Sequence, residues 1–197
     1  MTEPIKYPPK NCTFLTNMAI QKVAVVGVSQ HTSHQISASS LTTHKASGTL
    51  GTKVVEALLG AGFDVTAITR NESTATFPEE VTVKKVDITS VDSVKDAITG
   101  QHAVVSTAAT AAAGNQKVII DAVIAAKVPR FIPSEFGIPS REYRDTKIGG
   151  LLAPKIRNTD YLIELAKQHE WFSWTGVSNG LFLDWVGSSD PCRKSGC

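Results

Sequence analysis

The sequence predicts a doubly wound α/β domain built on a parallel sheet. Three observations predict it. Short Val/Ile-rich runs recur along the chain, longer segments with apolar residues at helical spacing lie between them, and the runs are almost continuously apolar. Strands of that kind are buried on both faces, so helices must cover both sides of the sheet and right-handed crossovers must join parallel neighbours.

The elements follow in order. Residues 1–17 carry three prolines and no period and are expected to form a disordered leader. Met18 opens the domain, expected over 18–185, with residues 186–197 as an irregular tail. Strands are predicted at Lys22 to Val26, Asp64 to Thr69, Val81 to Val86, Ala103 to Thr107, Arg130 to Pro133 and Phe172 to Val177. Between them, Thr49 to Ala61 sets Leu50, Val54, Val55, Leu58 and Leu59 on one helical face and stops at Gly60 and Gly62. Further helices are predicted at Val91 to Ile98, Asn115 to Ala126 and Lys155 to His169.

Composition narrows the function. In 197 residues, 42% hydrophobic, there is enough apolar material for one good core. Twenty basic residues against 18 acidic, spread evenly, leave no footprint for nucleic acid or an anionic membrane surface. No apolar run approaches the roughly 18 residues of a membrane span, and there is no signal-peptide core. Cys12, Cys192 and Cys197 have neither metal-ligand spacing nor a disulfide framework, which favours a reducing, cytoplasmic setting.

One segment departs from the pattern. Residues 28–45 hold five Ser, three Thr and three His with a single charge, and are expected to be an inserted, disordered loop. His31, His34 and His44 have no carboxylate or thiolate at ligand spacing, so no metal site is expected. The codons available to Val28-Ser29, Leu41-Thr42 and Lys45 resemble a splice donor, branch point and acceptor, which suggests an in-frame retained intron. With residues 28–45 set aside, the first strand ends at Gly27 and continues as Ala46-Ser47-Gly48-Thr49-Leu50-Gly51 into the first helix. Strand, G-x-x-G-x-x-G, helix is the arrangement that binds a dinucleotide. Glycines let the backbone approach a pyrophosphate, and the helix N-terminus offers free N–H groups and a positive dipole. An insert separating Gly27 from Ala46 is expected to weaken or abolish that binding while costing the fold only about 2 kcal/mol of loop closure.

At the end of the second strand, a site for NAD would place an acidic residue against the ribose 2′-hydroxyl. This chain has Thr69-Arg70 there. A guanidinium suits a 2′-phosphate, so NADP is the expected cofactor.

The rejoined Val-Ala-Val-Val-Gly-Ala-Ser-Gly-Thr-Leu-Gly, Ile-Thr-Arg70, Val86-Asp87, Ala103-Val-Val-Ser-Thr-Ala, Gln116 and above all Arg130-Phe-Ile-Pro-Ser-Glu-Phe-Gly137 resemble the isoflavone-reductase-like, NmrA-like branch of atypical short-chain dehydrogenases. The resemblance runs from Met18 to about Trp185, the insert excepted. It implies an NADPH-dependent reductase that transfers hydride to a small substrate, aromatic ones within the class, on a dinucleotide-binding Rossmann sheet. It also implies a lysine near the nicotinamide, at the start of the helix after Pro-Ser-Glu-Phe-Gly. Lys147 and Lys155 compete for that role; Lys155 is preferred because it opens the predicted helix. Pro133, Ser134 and Phe136 would line the nicotinamide pocket, Ser106, Thr107 and Ala108 the middle of the cofactor, and Asp87 the adenine edge, with Gly27, Ser47, Gly48, Thr49, Leu50, Gly51 and Arg70 completing the cofactor site. Members of that family continue into a small substrate-binding lobe, which is expected to be missing here. Two other readings stay open: a non-catalytic NADP-sensing regulator with a protein partner, and an inactive truncated product.

Overall fold

The computed structural model describes residues 19–27, 49–108 and 116–180. The leader, the 28–45 segment with Ser47 and Gly48, and the tail lie outside the described residues. Six strands form one sheet: β1 (Lys22–Val26), β2 (Asp64–Arg70), β3 (Thr82–Val86), β4 (Ala103–Ser106), β5 (Arg130–Ile132) and β6 (Ser173–Trp174). The helices are α1 (Thr49–Gly60), α2 (Val91–Ile98), α3 (Gln116–Ala125) and α4 (Gly149–Gln168), with a short 3-10 helix at Ser140–Tyr143. The strand order is β3-β2-β1-β4-β5-β6, and every pairing is parallel. This is the Rossmann arrangement the sequence predicts.

The core follows from the alternation along β1. Val23 and Val25 point to the face that α1 covers, with Val54, Val55 and Leu58 packing near them. Ala24 and Val26 point to the other, where α2, α3 and α4 bring Val94, Ile98, Ile119, Ile120, Val123, Leu162 and Leu165 around Phe131. Fully burying a side chain such as Phe131 is worth about 1.5–3 kcal/mol, so both faces are held by apolar contact. Helix α1 ends as its apolar pattern predicts, with the Phe63 N–H returning to the Leu58 carbonyl at 3.1 Å. Helix α2 is capped by Ser90, whose hydroxyl accepts from the Ser93 N–H.

Two elements depart from expectation. Helix α4 begins at Gly149, six residues before Lys155, so Lys155 stands in its second turn and does not open it. Pro154 and the Gly149-Gly150 pair look like a boundary because all three residues are poor in a helix interior. Packing overrides them: a Cβ at Gly149 would overlap the carbonyl oxygens of Tyr143 and Arg144, so the glycine lets α4 start flush against the preceding segment. Strand β6 is only two residues long, because just Ser173 and Trp174 pair with β5 at the sheet edge.

Candidate functional site

The strand order reverses at β1, which lies between β2 and β4. In an open parallel sheet the crevice for a ligand forms there, beyond the carboxyl ends of the strands. Gly27 ends β1 with φ of +91°, and a Cβ on it would stand 2.9 Å from the Ala108 nitrogen and 3.1 Å from its Cα. Only glycine permits both the backbone angle and the contact. Its N–H donates to the Ile68 carbonyl of β2 at 3.2 Å, and the Thr107 N–H donates to the Val26 carbonyl at 2.8 Å, so three strand ends meet at this point.

Gln116, fully buried at the start of α3, ties the next two strand ends together. Its Oε1 accepts from the Ser106 hydroxyl at 3.2 Å and from the Ser134 N–H at 2.9 Å. The Ser134 hydroxyl in turn donates to the Ala108 carbonyl at 2.6 Å. Ser106 and Thr107 are buried with their hydroxyls directed into the fold, the latter donating to the Val26 carbonyl. At this crevice the two residues therefore present backbone, not side chain.

Beyond β5, Pro133 and Glu135 are buried, while Ser134 and Phe136 are half-buried. The Lys155 amino group reaches back from α4 and donates to the Glu135 carbonyl at 3.1 Å. Only 9% of Lys155 is exposed, whereas Lys147 is exposed on the segment before α4. Burial lowers the pKa of Lys155, with the Glu135 charge opposing. The Glu135 carboxyl shifts the other way. Burial pushes it above the usual carboxylate range, and the Ser140 hydroxyl, Lys155 and Thr159 pull it partly back. Its Oε2 accepts from the Ser140 hydroxyl at 2.8 Å; neither its Oε1 nor the Thr159 hydroxyl oxygen attains hydrogen-bond geometry.

Thr49, Leu50 and Gly51 open α1, and the first N–H groups of a helix have no partner within the helix itself. Arg70 ends β2, exposed and paired with no carboxylate among the described residues. Asp87 follows β3; its carboxylate accepts from the Thr89 N–H and hydroxyl, which hold its pKa below the usual range. Thus a continuous chain of contacts joins Gly27, Ala108, Ser134, Glu135 and Lys155, whereas Arg70 and Asp87 stand apart on the β2–β3 side. The sequence reading missed Glu135, Ser140 and Thr159 as a group. The available signal was an acidic residue embedded between Pro-Ser and Phe-Gly, directly after a buried strand. Among the described residues no cluster of His, Cys, Asp or Glu could hold a metal, and no helix is long and apolar enough to cross a membrane.

Comparison with known proteins agrees with this geometry. A family model described as NAD(P)H-binding matches residues 46–191, beginning at the residue that follows the 28–45 segment. The oxidoreductase aprR of Aspergillus flavus is 39% identical over 142 residues, which cover 71% of this chain and 47% of that protein. The oxidoreductase poxI of Penicillium oxalicum is 31% identical over 151 residues, 77% of this chain and 48% of that one. The chain spans about half the length of these curated relatives. Among solved structures, AtPrR2 with NADP+ and (+)pinoresinol superposes with a TM-score of 0.63 at 22% identity, over 86% of this chain and 53% of that one. Isoflavone reductase gives 0.61 at 21% identity, over 85% and 52%. Leucoanthocyanidin reductase from Vitis vinifera with NADPH gives 0.57 at 18%, over 80% and 49%. The chain belongs to the NAD(P)H-binding family, on the fold it shares with isoflavone reductase.

Proposed function

We propose that this chain is the cofactor-binding part of an NADPH-dependent oxidoreductase that reduces a small molecule, with Lys155 as the catalytic residue. One observation carries the reading: a nearly buried amine held at the carboxyl end of β5, joined by continuous contacts to the glycine turn at the end of β1. The residues fit a dinucleotide. Gly27 clears backbone space against Ala108, the first turn of α1 offers N–H groups to a diphosphate, and Arg70 is free of carboxylate partners among the described residues to meet a 2′-phosphate. Ser47, Gly48, Thr49, Leu50 and Gly51 would frame the phosphates, Asp87 the adenine side, and Pro133, Ser134 and Phe136 the nicotinamide side.

NADPH supplies hydride when bound. The chain's own contribution is to hold a proton at Lys155 Nζ, where it can pass to a substrate oxygen that gains negative charge. Partial burial brings the amine toward the pH range in which proton transfer is efficient. The oxidoreductase relatives and the NADP-bound structural neighbours support this chemistry. The match covers about half of each relative.

Lys155→Met, made in a version extended to the relatives' length, tests the reading. NADPH oxidation should fall at least about a hundredfold, the usual weight of a general acid, while NADPH binding by fluorescence titration holds. A parent that binds NADPH yet turns over no carbonyl or enone substrate favours the regulator. A parent that fails to bind NADPH, with or without residues 28–45, removes both readings.

A further inference from the structure

The polar group behind the β5 end is more elaborate than packing requires. Glu135 is 5% exposed and Thr159 6%, Ser140 is 2% exposed, and Lys155 lies among them. They come from three elements: Glu135 from the segment after β5, Ser140 from the 3-10 helix, and Lys155 and Thr159 from α4 at a spacing of four, which sets both on one helical face. A buried carboxyl among apolar residues is costly unless it is paired and hydrogen-bonded. Here the Ser140 hydroxyl at 2.8 Å holds one oxygen, and the other is left without a hydrogen bond.

We propose that Glu135 is the positioning residue for Lys155: its main-chain carbonyl fixes the amino nitrogen, and its buried carboxylate, tethered by Ser140, is the countercharge that sets when that nitrogen carries a proton. The inference rests on Lys155 being the chemically active amine.

The carbonyl contact is direct, and the carboxylate lies in the same buried group without closing to ion-pair distance. The Lys155 Nζ donates to the Glu135 carbonyl at 3.1 Å, and it lies 3.8 Å from where a Cβ on Gly137 would stand. A Cβ there would make ordinary van der Waals contact with the amine. Several charged groups on the surrounding elements have partners of their own. Arg141 and Arg144 bind Asp160 at 3.3 and 2.7 Å, and Lys117 and Tyr161 both bind Asp121. The β6 strand and residues 175–180 carry no ionisable side chain. Lys155 and Glu135 thus feel each other's charge within one buried group.

The test reads the amine directly. The 197-residue protein is trace-labelled with acetic anhydride across a pH series, and the peptide containing Lys155 is quantified by mass spectrometry with exposed Lys147 as the internal reference. In the parent, the labelling midpoint of Lys155 should lie below that of Lys147. Glu135→Gln removes the countercharge and should lower the Lys155 midpoint by about one pH unit or more, with Lys147 unmoved. Glu135→Asp, which retains the charge, should recover at least half of the shift. Ser140→Ala, which releases the carboxylate, should move the midpoint the same way by less. Equal midpoints in the parent and Glu135→Gln overturn the proposal. Should Glu135→Gln lose its far-UV circular dichroism, Ser140→Ala decides, and an unmoved midpoint there overturns it too. A shifted midpoint together with full NADPH oxidation in Lys155→Met would leave the positioning intact and remove the catalytic reading instead.

Discussion

Gly27 faces the backbone of Ala108 so closely that a single added carbon on Gly27 would lie 2.9 Å from the Ala108 nitrogen. The two residues follow adjacent parallel strands, and their approach defines the floor of the crevice at the point where strand order reverses. The contact also explains why a glycine is needed here for reasons separate from phosphate binding.

Gly27→Ala should therefore destabilise the protein even without cofactor. The left-handed backbone angle alone costs about 1–2 kcal/mol for a residue with a Cβ, and relieving the overlap must move backbone. Urea denaturation should show the loss at unchanged slope, and NADPH affinity should fall with it. A variant as stable as the parent would mean that the two strand ends are farther apart in solution.

Gln116 makes a second prediction. Its side-chain oxygen accepts from both Ser106 and Ser134, so Gln116→Leu strands a buried hydroxyl and a main-chain N–H. Each buried unsatisfied group costs about 1–3 kcal/mol. The denaturation midpoint should fall, and Ser106→Ala combined with Gln116→Leu should lose less than the sum of the two single variants. Strict additivity would show that the three groups do not act as a network.

The role proposed for Arg70 at the 2′-phosphate makes a further prediction. Arg70→Ala should weaken NADPH binding by about 1.5–3 kcal/mol, roughly ten- to hundredfold in Kd, and leave NADH binding nearly unchanged. Fluorescence titrations with both nucleotides measure it. An unaltered ratio of the two affinities would assign 2′-phosphate recognition to another residue.

Most of the sheet was legible because β1, β2 and β4 are buried on both faces and so announce themselves as apolar runs; β1 and α2 begin and end where the pattern says they should. The start of α4 was not legible. Local preference at Gly149, Gly150 and Pro154 opposes a helix, and the tight fit of Gly149 against Tyr143 and Arg144, which decides the matter, is a tertiary contact. The same limit hid the pairing at Lys155. The strand–glycine–helix pattern locates the crevice, but nothing in the spacing of Glu135, Ser140, Lys155 and Thr159 says that they converge. Lys155 is preferred over Lys147 from a helix boundary that the structure moves, and what the structure itself distinguishes is burial, Lys155 lying inside the fold and Lys147 on its surface.

Glu135 also makes stability depend on pH in a defined direction. Its carboxyl is raised from an ordinary value of 4.5, so between that value and its folded one the native state binds more protons than the unfolded state. By linkage, stability contributed at lower pH is lost as pH rises through the folded value. Glu135→Gln has no proton to lose. The stability of the variant minus that of the parent, from urea melts at closely spaced pH, should thus climb with pH from about 4.5 upward and level off once the carboxyl has ionised. Parallel curves for the two proteins would mean that the carboxyl titrates alike folded and unfolded.

The final prediction concerns residues 28–45, which separate Gly27 from Ala46 along the chain. Joining the two directly restores the strand, G-x-x-G-x-x-G, helix order in which a pyrophosphate can contact the turn and the helix N-terminus together. With residues 28–45 between them, bringing Gly27 and Ala46 into that geometry works against a closure cost of about 2 kcal/mol. Deleting residues 28–45 should therefore tighten NADPH binding at least about tenfold, with each 1.4 kcal/mol worth a factor of ten, and should raise the melting temperature in saturating NADPH more than in its absence. Titration of the parent and the deletion protein side by side decides it: equal affinities would show that the glycine turn works without Ala46 next to Gly27, and would turn attention to the contacts Gly27 makes across the sheet with Ile68 and Ala108.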